Sequence, residues 1–167
     1  MGRGQEEGEA IATLEASNLD ARRKVRKRAM DLLMRREHTV VELQRKLNIK
    51  NDAVGADIVA EVVEQLAGEG LVSDARFTEA FVRYRRNNGH GPRRIQSELR
   101  ERGVNEKIQA AYLDVGDSQW FECAAQVRCK RFGNALPEDF KERARQARFL
   151  QYRGFTAEQV RGVLDDV

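Results

Sequence analysis

The chain has 167 residues, of which 30 are Lys or Arg and 27 Asp or Glu, giving a formal net charge of +3. Charged residues make up 34% of it and aromatics 7%, as in a soluble helical protein with much solvated surface. No stretch approaches the roughly 18 apolar residues of a membrane span, and the polar, acidic start lacks the apolar core of a signal peptide, so a cytoplasmic protein without membrane association is expected.

Residues 1–20 carry Glu6, Glu7, Glu9, Glu15 and Asp20 against Arg3 alone. They read as a loose acidic tail, with a tendency to helix near Ile11–Leu14. Beyond Asp20 the chain is more basic than its total charge indicates.

The first strong helix covers residues 21–37, with Val25, Ala29, Leu32 and Leu33 on one stripe. Arg23, Lys24, Lys27, Arg28 and Arg35 spread over the opposite face. A second helix starts at Thr39, where Thr39-x-x-Glu42 forms a capping box. Leu43 and Leu47 are its apolar pair, and Asn48 suits its end. A third helix is expected from about Asp52 to Gly68, with Val54, Ile58, Val59, Val62, Val63 and Leu66 on a wide apolar face.

From Ser73 to Val104 lies the most informative stretch. Phe77, Ala80, Phe81 and Tyr84 repeat at helical spacing over about 74–88. Asn87-Asn88-Gly89-His90-Gly91 breaks the pattern. Pro92 opens the next helix at a position where its missing N–H costs nothing, with Ile95 and Leu99 on one side. Ser73 and Asp74 read as helix caps. Gly103 reads as a helix-ending glycine, with Val104 folding back onto Leu99. A short helix over 105–115 turns Ile108, Ala111 and Tyr112 inward.

A helix from Ser118 to about Phe132 follows, then one from near Pro137 to Arg153, ended by Gly154. Thr156-x-x-Gln159 caps a last helix with Val160, Val163 and Leu164. No run alternates as a strand does. The expected fold is all-α, with roughly nine helices.

Those helices group in threes. Leu99-x3-Gly103-Val104 is matched by Leu150-x3-Gly154-Phe155, each followed by a short capped helix. The expected organisation is the tail at 1–20 and three-helix repeats at 21–72, 73–116 and 117–167. Units of about fifty residues bury little core alone, so stacking into an elongated, curved body is expected.

Catalytic chemistry is hard to find. Gly89-His90-Gly91 lacks the rest of a phosphate loop, although the amides opening the Pro92 helix could hold a phosphate oxygen. No nucleophile–base set or paired carboxylates stand out. Cys123 and Cys129 are six apart and, at about 100° per residue, point to different faces of one helix. They read as reduced, part-buried residues. His38 and His90 are isolated, so neither a metal nor any other cofactor is expected.

What stands out is arginine: Arg76, Arg83, Arg85, Arg86, Arg93, Arg94, Arg100 and Arg102. With a pI near 9.0, this clustering suits an acidic partner, nucleic acid first. Forked guanidinium contacts suit carboxylate or phosphate. Arg93, Gln96, Ser97 and Arg100 form a polar stripe opposite Ile95 and Leu99. Glu79 is placed to pair with Arg83, and Tyr84 to join the core. The competing expectation is an arginine surface that is merely solvated.

Four spaced motifs resemble the RecX family of recombination regulators. They are Asp74-x-Arg76-Phe77, Phe81-Val82-Arg83, Gly89-x-Gly91-Pro92-x-x-Ile95-x-x-x-Leu99-x-x-Arg102-Gly103-Val104, and Arg148-Phe149-Leu150-x-x-Arg153-Gly154-Phe155. The likeness covers about Ala21 to Asp165. It implies tandem three-helix repeats; a monomeric, non-catalytic protein is expected. It also implies binding to the RecA filament, with inhibition of its ATPase, strand exchange and co-protease activity and restraint of the SOS response. Weaker, salt-sensitive binding to single- and double-stranded DNA is expected. The eight arginines are the expected contacts, with Arg23, Lys24, Lys27 and Arg28 as a second surface. A DNA-binding module acting alone, and an adaptor that binds only protein, are the alternatives.

Overall fold

The computed structural model describes residues 3–50 and 55–165, and side chains over 8–49 and 55–165. Among these residues there are nine helices and no strand. They are α1 (Arg3–Leu33), α2 (Val40–Lys50), α3 (Ala56–Gly68), α4 (Asp74–Asn87), α5 (Pro92–Glu101), α6 (Glu106–Tyr112), α7 (Gln119–Phe132), α8 (Phe140–Arg153) and α9 (Ala157–Leu164). The chain forms two compact units, one up to Asp74 and one from Ala75.

In the first unit, α1, α2 and α3 pack on one another. The expected stripe points inward: Val25 and Ala29 are fully buried with Leu43, Leu47, Val59, Val63 and Leu66, and Leu32 and Leu33 pack against them. The Thr39 hydroxyl accepts the Glu42 N–H at 3.0 Å, which is the N-cap half of the expected capping box. Asp74, expected to cap the helix it opens, accepts the Val40 N–H at 2.9 Å and so caps α2. Arg22 pairs with Glu61 and Arg26 with Glu69, both at 2.6 Å. These are exposed bridges between α1 and α3, which add little beside the core.

Three expectations shift here. The loose tail over 1–20 is helical from Arg3. From Glu9 to Leu19 its Ala, Glu and Leu have high helix propensity, and no proline or glycine interrupts them. The second helix passes Asn48 and continues to Lys50. The third begins at Ala56, and Asp52 and Val54 lie outside the described residues.

His38 sits in this core, 1% exposed. Its Nδ1 lies 2.9 Å from the Arg36 carbonyl and its Nε2 3.1 Å from Lys46 Nζ. Nδ1–H therefore donates, and Nε2 accepts from the ammonium. Burial is the main reason its pKa lies below the ordinary imidazole value.

The second unit holds α4 from Ala75 onward and α5 to α9 around one core. Phe77, Ile95, Leu99, Val104, Trp120, Leu150, Phe155 and Leu164 lie in it, with Phe81 and Phe149 packed against it. The two later repeats thus share an interior across the 116/117 boundary.

Both α5 and α8 close in the same way. Gly103 and Gly154 have φ of +78° and +95°, a region that glycine enters without Cβ strain. Val104 N–H reaches back to the Leu99 carbonyl at 3.1 Å, and Phe155 N–H to Leu150 at 3.2 Å. The equivalent bonds close α3, from Leu71 to Leu66 at 2.9 Å, and α4, from His90 to Arg85 at 3.1 Å. The glycine closure therefore recurs at four helix ends, including that of α3 in the first unit.

Gly91 and Gly154 touch. A Cβ on Gly91 would fall 2.3 Å from Gly154 C and Phe155 N, and one on Gly154 would fall 2.4 Å from Arg94 Cβ. Gly91 N–H donates to the Arg153 carbonyl at 2.8 Å, and Arg93 N–H to the Gly154 carbonyl at 3.0 Å. The amides opening α5 are thus taken by the end of α8 and do not form the phosphate seat considered from sequence.

A carboxylate clamp lies beside this contact. Glu98 pairs with Arg85 and, at 3.1 Å, with Arg94. Burial alone would raise its pKa; the two guanidiniums outweigh that and hold it below the ordinary carboxylate value. Arg128, also buried, donates to the Asn134 and Ala135 carbonyls at 3.0 and 2.8 Å, fastening the loop between α7 and α8.

Further corrections concern frame. In α6 the Asn105 side chain caps Ile108 N at 2.9 Å, and the buried residues are Gln109 and Leu113, while Ala111 and Tyr112 face solvent. The helix expected from Pro137 starts at Phe140, because Asp139 is its cap, accepting Glu142 N–H at 2.7 Å.

Three tests address these arrangements. Gly91→Ala should lower unfolding free energy in urea by about 1–3 kcal/mol or more; Gly68→Ala, with nothing within 4 Å, should stay within about 1 kcal/mol of the parent. Equal midpoints would show that the glycine contact is not tight. Glu98→Gln should cost about 1–3 kcal/mol near pH 7. A carboxylate with a depressed folded-state pKa contributes stability above its unfolded value, near 4.5, and loses it as pH falls through the folded value; the variant should therefore lose less on acidification below about pH 4.5 than the parent. His38 is likewise depressed, so its contribution is complete above 6.5 and declines as pH falls further. His38→Gln should flatten the fall in melting temperature between pH 7 and pH 5; an unchanged slope would assign that fall to other groups.

Candidate functional site

The eight arginines of the central stretch divide by what their helices bury. On α4 the buried positions are Phe77, Thr78 and Val82, with Phe81 part-buried. That face is centred between Phe77 and Val82, so Arg85 falls near its middle and Tyr84 off its edge. Tyr84 is accordingly 63% exposed, where sequence spacing placed it in the core. Arg76 and Arg83 are exposed. No ion pair joins Glu79 to Arg83 among the described residues, so the expected internal pairing is not made.

On α5, Ile95 and Leu99 are fully buried, and Arg93, Ser97 and Arg100 are exposed on the other side. Gln96 is half-buried. Arg100 lies 3.8 Å from Glu106, with the two side chains 57% and 86% exposed. A pair so loose and wet leaves Arg100 able to exchange partners.

Arg85, Arg86, Arg94 and Arg102 are engaged by neighbouring side chains. Arg85 and Arg94 clamp Glu98. Arg94 also lies over Tyr152 at 5.6 Å, Arg102 over Phe81 at 4.9 Å, and Arg86 over Trp120 at 6.0 Å. Arg86 further donates to Gln119 at 3.3 Å. A cation over an aromatic face gains about 0.5–1 kcal/mol at such sites, and the planar guanidinium also covers the ring.

In the first unit, Arg23, Lys24 and Lys27 are exposed on α1. Lys24 bridges to Asp20 at 2.8 Å. Arg28 is half-buried, with Nε enclosed. Of the four residues expected to form a second basic surface, three are therefore exposed.

A concave site goes unmarked in the sequence reading. A cleft of about 660 Å³ opens between the end of α4, α7 and the end of α8. Arg86, Lys130, Arg131 and Arg153 line it. Lys130 and Arg131 are exposed, and no carboxylate belongs to the lining. Arg153 is oriented by the Asn88 carbonyl at 3.2 Å and the Phe149 ring at 5.3 Å. A signal was available: Lys130, Arg131 and Arg153 have no acidic residue three or four positions away, so no helical neighbour neutralises them.

No helix among the described residues is long and apolar enough to cross a membrane. Cys123 and Cys129 are free and part-buried.

Family comparison matches this architecture. The model for the second three-helix domain of RecX matches residues 73–113, and that for the third matches residues 117–164. The regulatory protein RecX of Halorhodospira halophila is 48% identical over 137 residues, spanning 82% of this chain and 84% of the relative. That of Pseudomonas entomophila is 42% identical over 142 residues, spanning 85% and 90%. Among solved structures, a crystal structure of regulatory protein RecX superposes with a TM-score of 0.79 at 21% identity, covering 95% of this chain and 78% of the other. RecX from Lactobacillus salivarius superposes at 0.73 and 19% identity, covering 87% and 95%. At that identity the structures speak for the fold, and the closer relatives speak for descent: the chain belongs to the RecX family of regulatory proteins.

Proposed function

We propose that this chain is a non-catalytic regulator of the RecA recombinase, binding the filament on DNA and inhibiting its ATPase, strand-exchange and co-protease activities. Recombination and the SOS response are restrained as a result. The observation that carries this reading is the 40–48% identity to regulatory RecX proteins over most of the chain. The arginine arrangement supports it. A protein that acts by occupying a filament needs to meet phosphate and carboxylate together, and guanidinium serves both. It works as a monomer, without cofactor.

Within the central stretch, Arg76, Arg83, Arg93 and Arg100 meet the partner, because they are exposed. Arg85, Arg86, Arg94 and Arg102 act through the shape of the fold, being engaged by Glu98 or by aromatic rings. Arg23, Lys24 and Lys27 add attraction to DNA phosphate, which weakens as salt rises.

The decisive experiment is ATP hydrolysis by the cognate RecA on single-stranded DNA with this protein titrated in. Hydrolysis should fall at well below one copy per RecA subunit. Arg93→Glu with Arg100→Glu should weaken inhibition by about tenfold or more, equivalent to about 1.4 kcal/mol, with helix content by circular dichroism unchanged. Unaltered inhibition by that variant removes the α5 stripe from the interface. No effect on RecA, beside steeply salt-dependent binding to bare DNA, replaces the regulator with a DNA-binding module.

A further inference from the structure

We propose that the cleft between α4, α7 and α8 is a docking site for an acidic peptide segment of a partner protein, with one apolar side chain seated on its floor. The site is separate from the exposed arginines of α4 and α5 and is tested separately.

Charge comes first. Elsewhere in the chain guanidiniums face carboxylates: Arg22 faces Glu61, Arg26 faces Glu69 and Arg145 faces Glu142, at 2.6, 2.6 and 3.1 Å. In the cleft Arg86, Lys130, Arg131 and Arg153 gather with no carboxylate in the lining. Glu122, one turn before Gln126 on α7, is engaged by the Gln126 amide at 3.3 Å. Like charges held together in a concave wall raise the local potential and draw an anionic ligand.

The rest of the lining decides between a nucleic-acid strand and a peptide. Single-stranded nucleic acid is gripped by bases stacking on open aromatic faces. Here the rings are covered: Arg153 lies over Phe149 at 5.3 Å, Arg86 over Trp120 at 6.0 Å, and Phe132 meets Phe149 edge-on at 5.2 Å. The guanidiniums are thereby pre-oriented for forked contacts to carboxylate, while no stacking platform remains among these rings. Two side-chain amides point the same way. Asn88 donates to the Tyr84 carbonyl at 2.9 Å and Gln126 to Glu122, so the oxygen of each amide remains an acceptor. A phosphodiester backbone has no N–H to offer them, whereas a peptide backbone has one per residue. Val127 and Cys123 supply apolar surface between these polar groups, enough for one aliphatic side chain.

The test uses the full-length protein and a short fluorescein-labelled peptide of Glu and Asp with one central Leu, followed by anisotropy at about 0.1 M salt. The peptide should bind, and its Gln/Asn counterpart should not. Lys130→Glu with Arg131→Glu should weaken binding by at least about tenfold. Lys130→Ala with Arg131→Ala should weaken it less, in the same direction. Both positions are exposed, so melting temperature should hold. Arg93→Glu with Arg100→Glu should leave peptide affinity unchanged, which separates this site from the filament-binding surface. Oligothymidylate affinity, measured in parallel, should change less than peptide affinity in the Lys130/Arg131 variants. The proposal is overturned if the peptide does not bind, if the charge-reversal variant binds it as the parent does, or if oligothymidylate binding falls as much as peptide binding. The last result would make the cleft a nucleic-acid site.

Discussion

Where α8 ends and α5 begins, two carbonyls of one helix accept two N–H groups at the start of the other. Arg153 and Gly154 supply the carbonyls, and Gly91 and Arg93 the donors, at 2.8 and 3.0 Å. The negative end of one helix thus meets the positive end of the next, and each satisfies groups the other leaves open. The approach is close enough that neither glycine could carry a Cβ. Much else in the second unit depends on it. It sets Arg94 beside Tyr152, places Arg153 against the Asn88 carbonyl, and seats Ile95 and Leu150 in one core.

The arginines meet uneven fates around that contact. Arg94 and Arg153 reach a carboxylate, a carbonyl or a ring, whereas Arg93, whose N–H belongs to the junction, keeps its side chain exposed. Those a turn or more away on the outer faces, such as Arg83 and Arg100, stay in solvent. Arg85 is the instructive case. It lies in a run of basic residues, yet it is central to the buried face of α4 and pairs with Glu98 while its guanidinium lies over the Phe81 ring at 5.9 Å. A guanidinium in that position is an element of the fold, because removing its partner would leave a half-buried charge unmatched. Charge density along a sequence therefore overstates the surface available to a partner. It can also understate it, since Arg153 and the Lys130-Arg131 pair come together only when α7 and α8 pack.

The same helix-closing device serves both units. A glycine with positive φ ends α3, α4, α5 and α8, and the next residue's N–H bonds back to the carbonyl five positions before it. Short helices follow, as α6 does α5 and α9 does α8. In each a glutamine is buried: Gln109 donates to the Val104 carbonyl at 2.7 Å and Gln159 to Val115 at 3.0 Å. In both, the side-chain N–H has a backbone carbonyl to meet, which offsets part of the cost of burying the amide.

Local chemistry was enough to determine the all-α class, the grouping in threes, the Thr39 cap, the capping box at Thr156, and the core positions Val25, Leu43, Ile95, Leu99 and Leu150. Caps, glycine closures and apolar spacing act over three to five residues, so a sequence displays them directly. The motif spacing from Asp74 to Phe155 likewise sufficed to point to the family. Only tertiary structure decided which side of a face is covered. Tyr84 turned outward, Arg85 inward, and Gln109 and Leu113 took the places expected of Ala111 and Tyr112. It also decided why Gly91 must be glycine, since the clash it avoids is with a backbone more than sixty residues away, at Gly154. The amphipathic pattern of one helix leaves its rotation uncertain by a residue or so, and packing against neighbours removes that freedom. A contact between distant segments leaves no local trace in the chain: the lack of acidic helical neighbours at Lys130, Arg131 and Arg153 is visible in the sequence, but their gathering into one cleft and the glycine junction arise only when the helices pack.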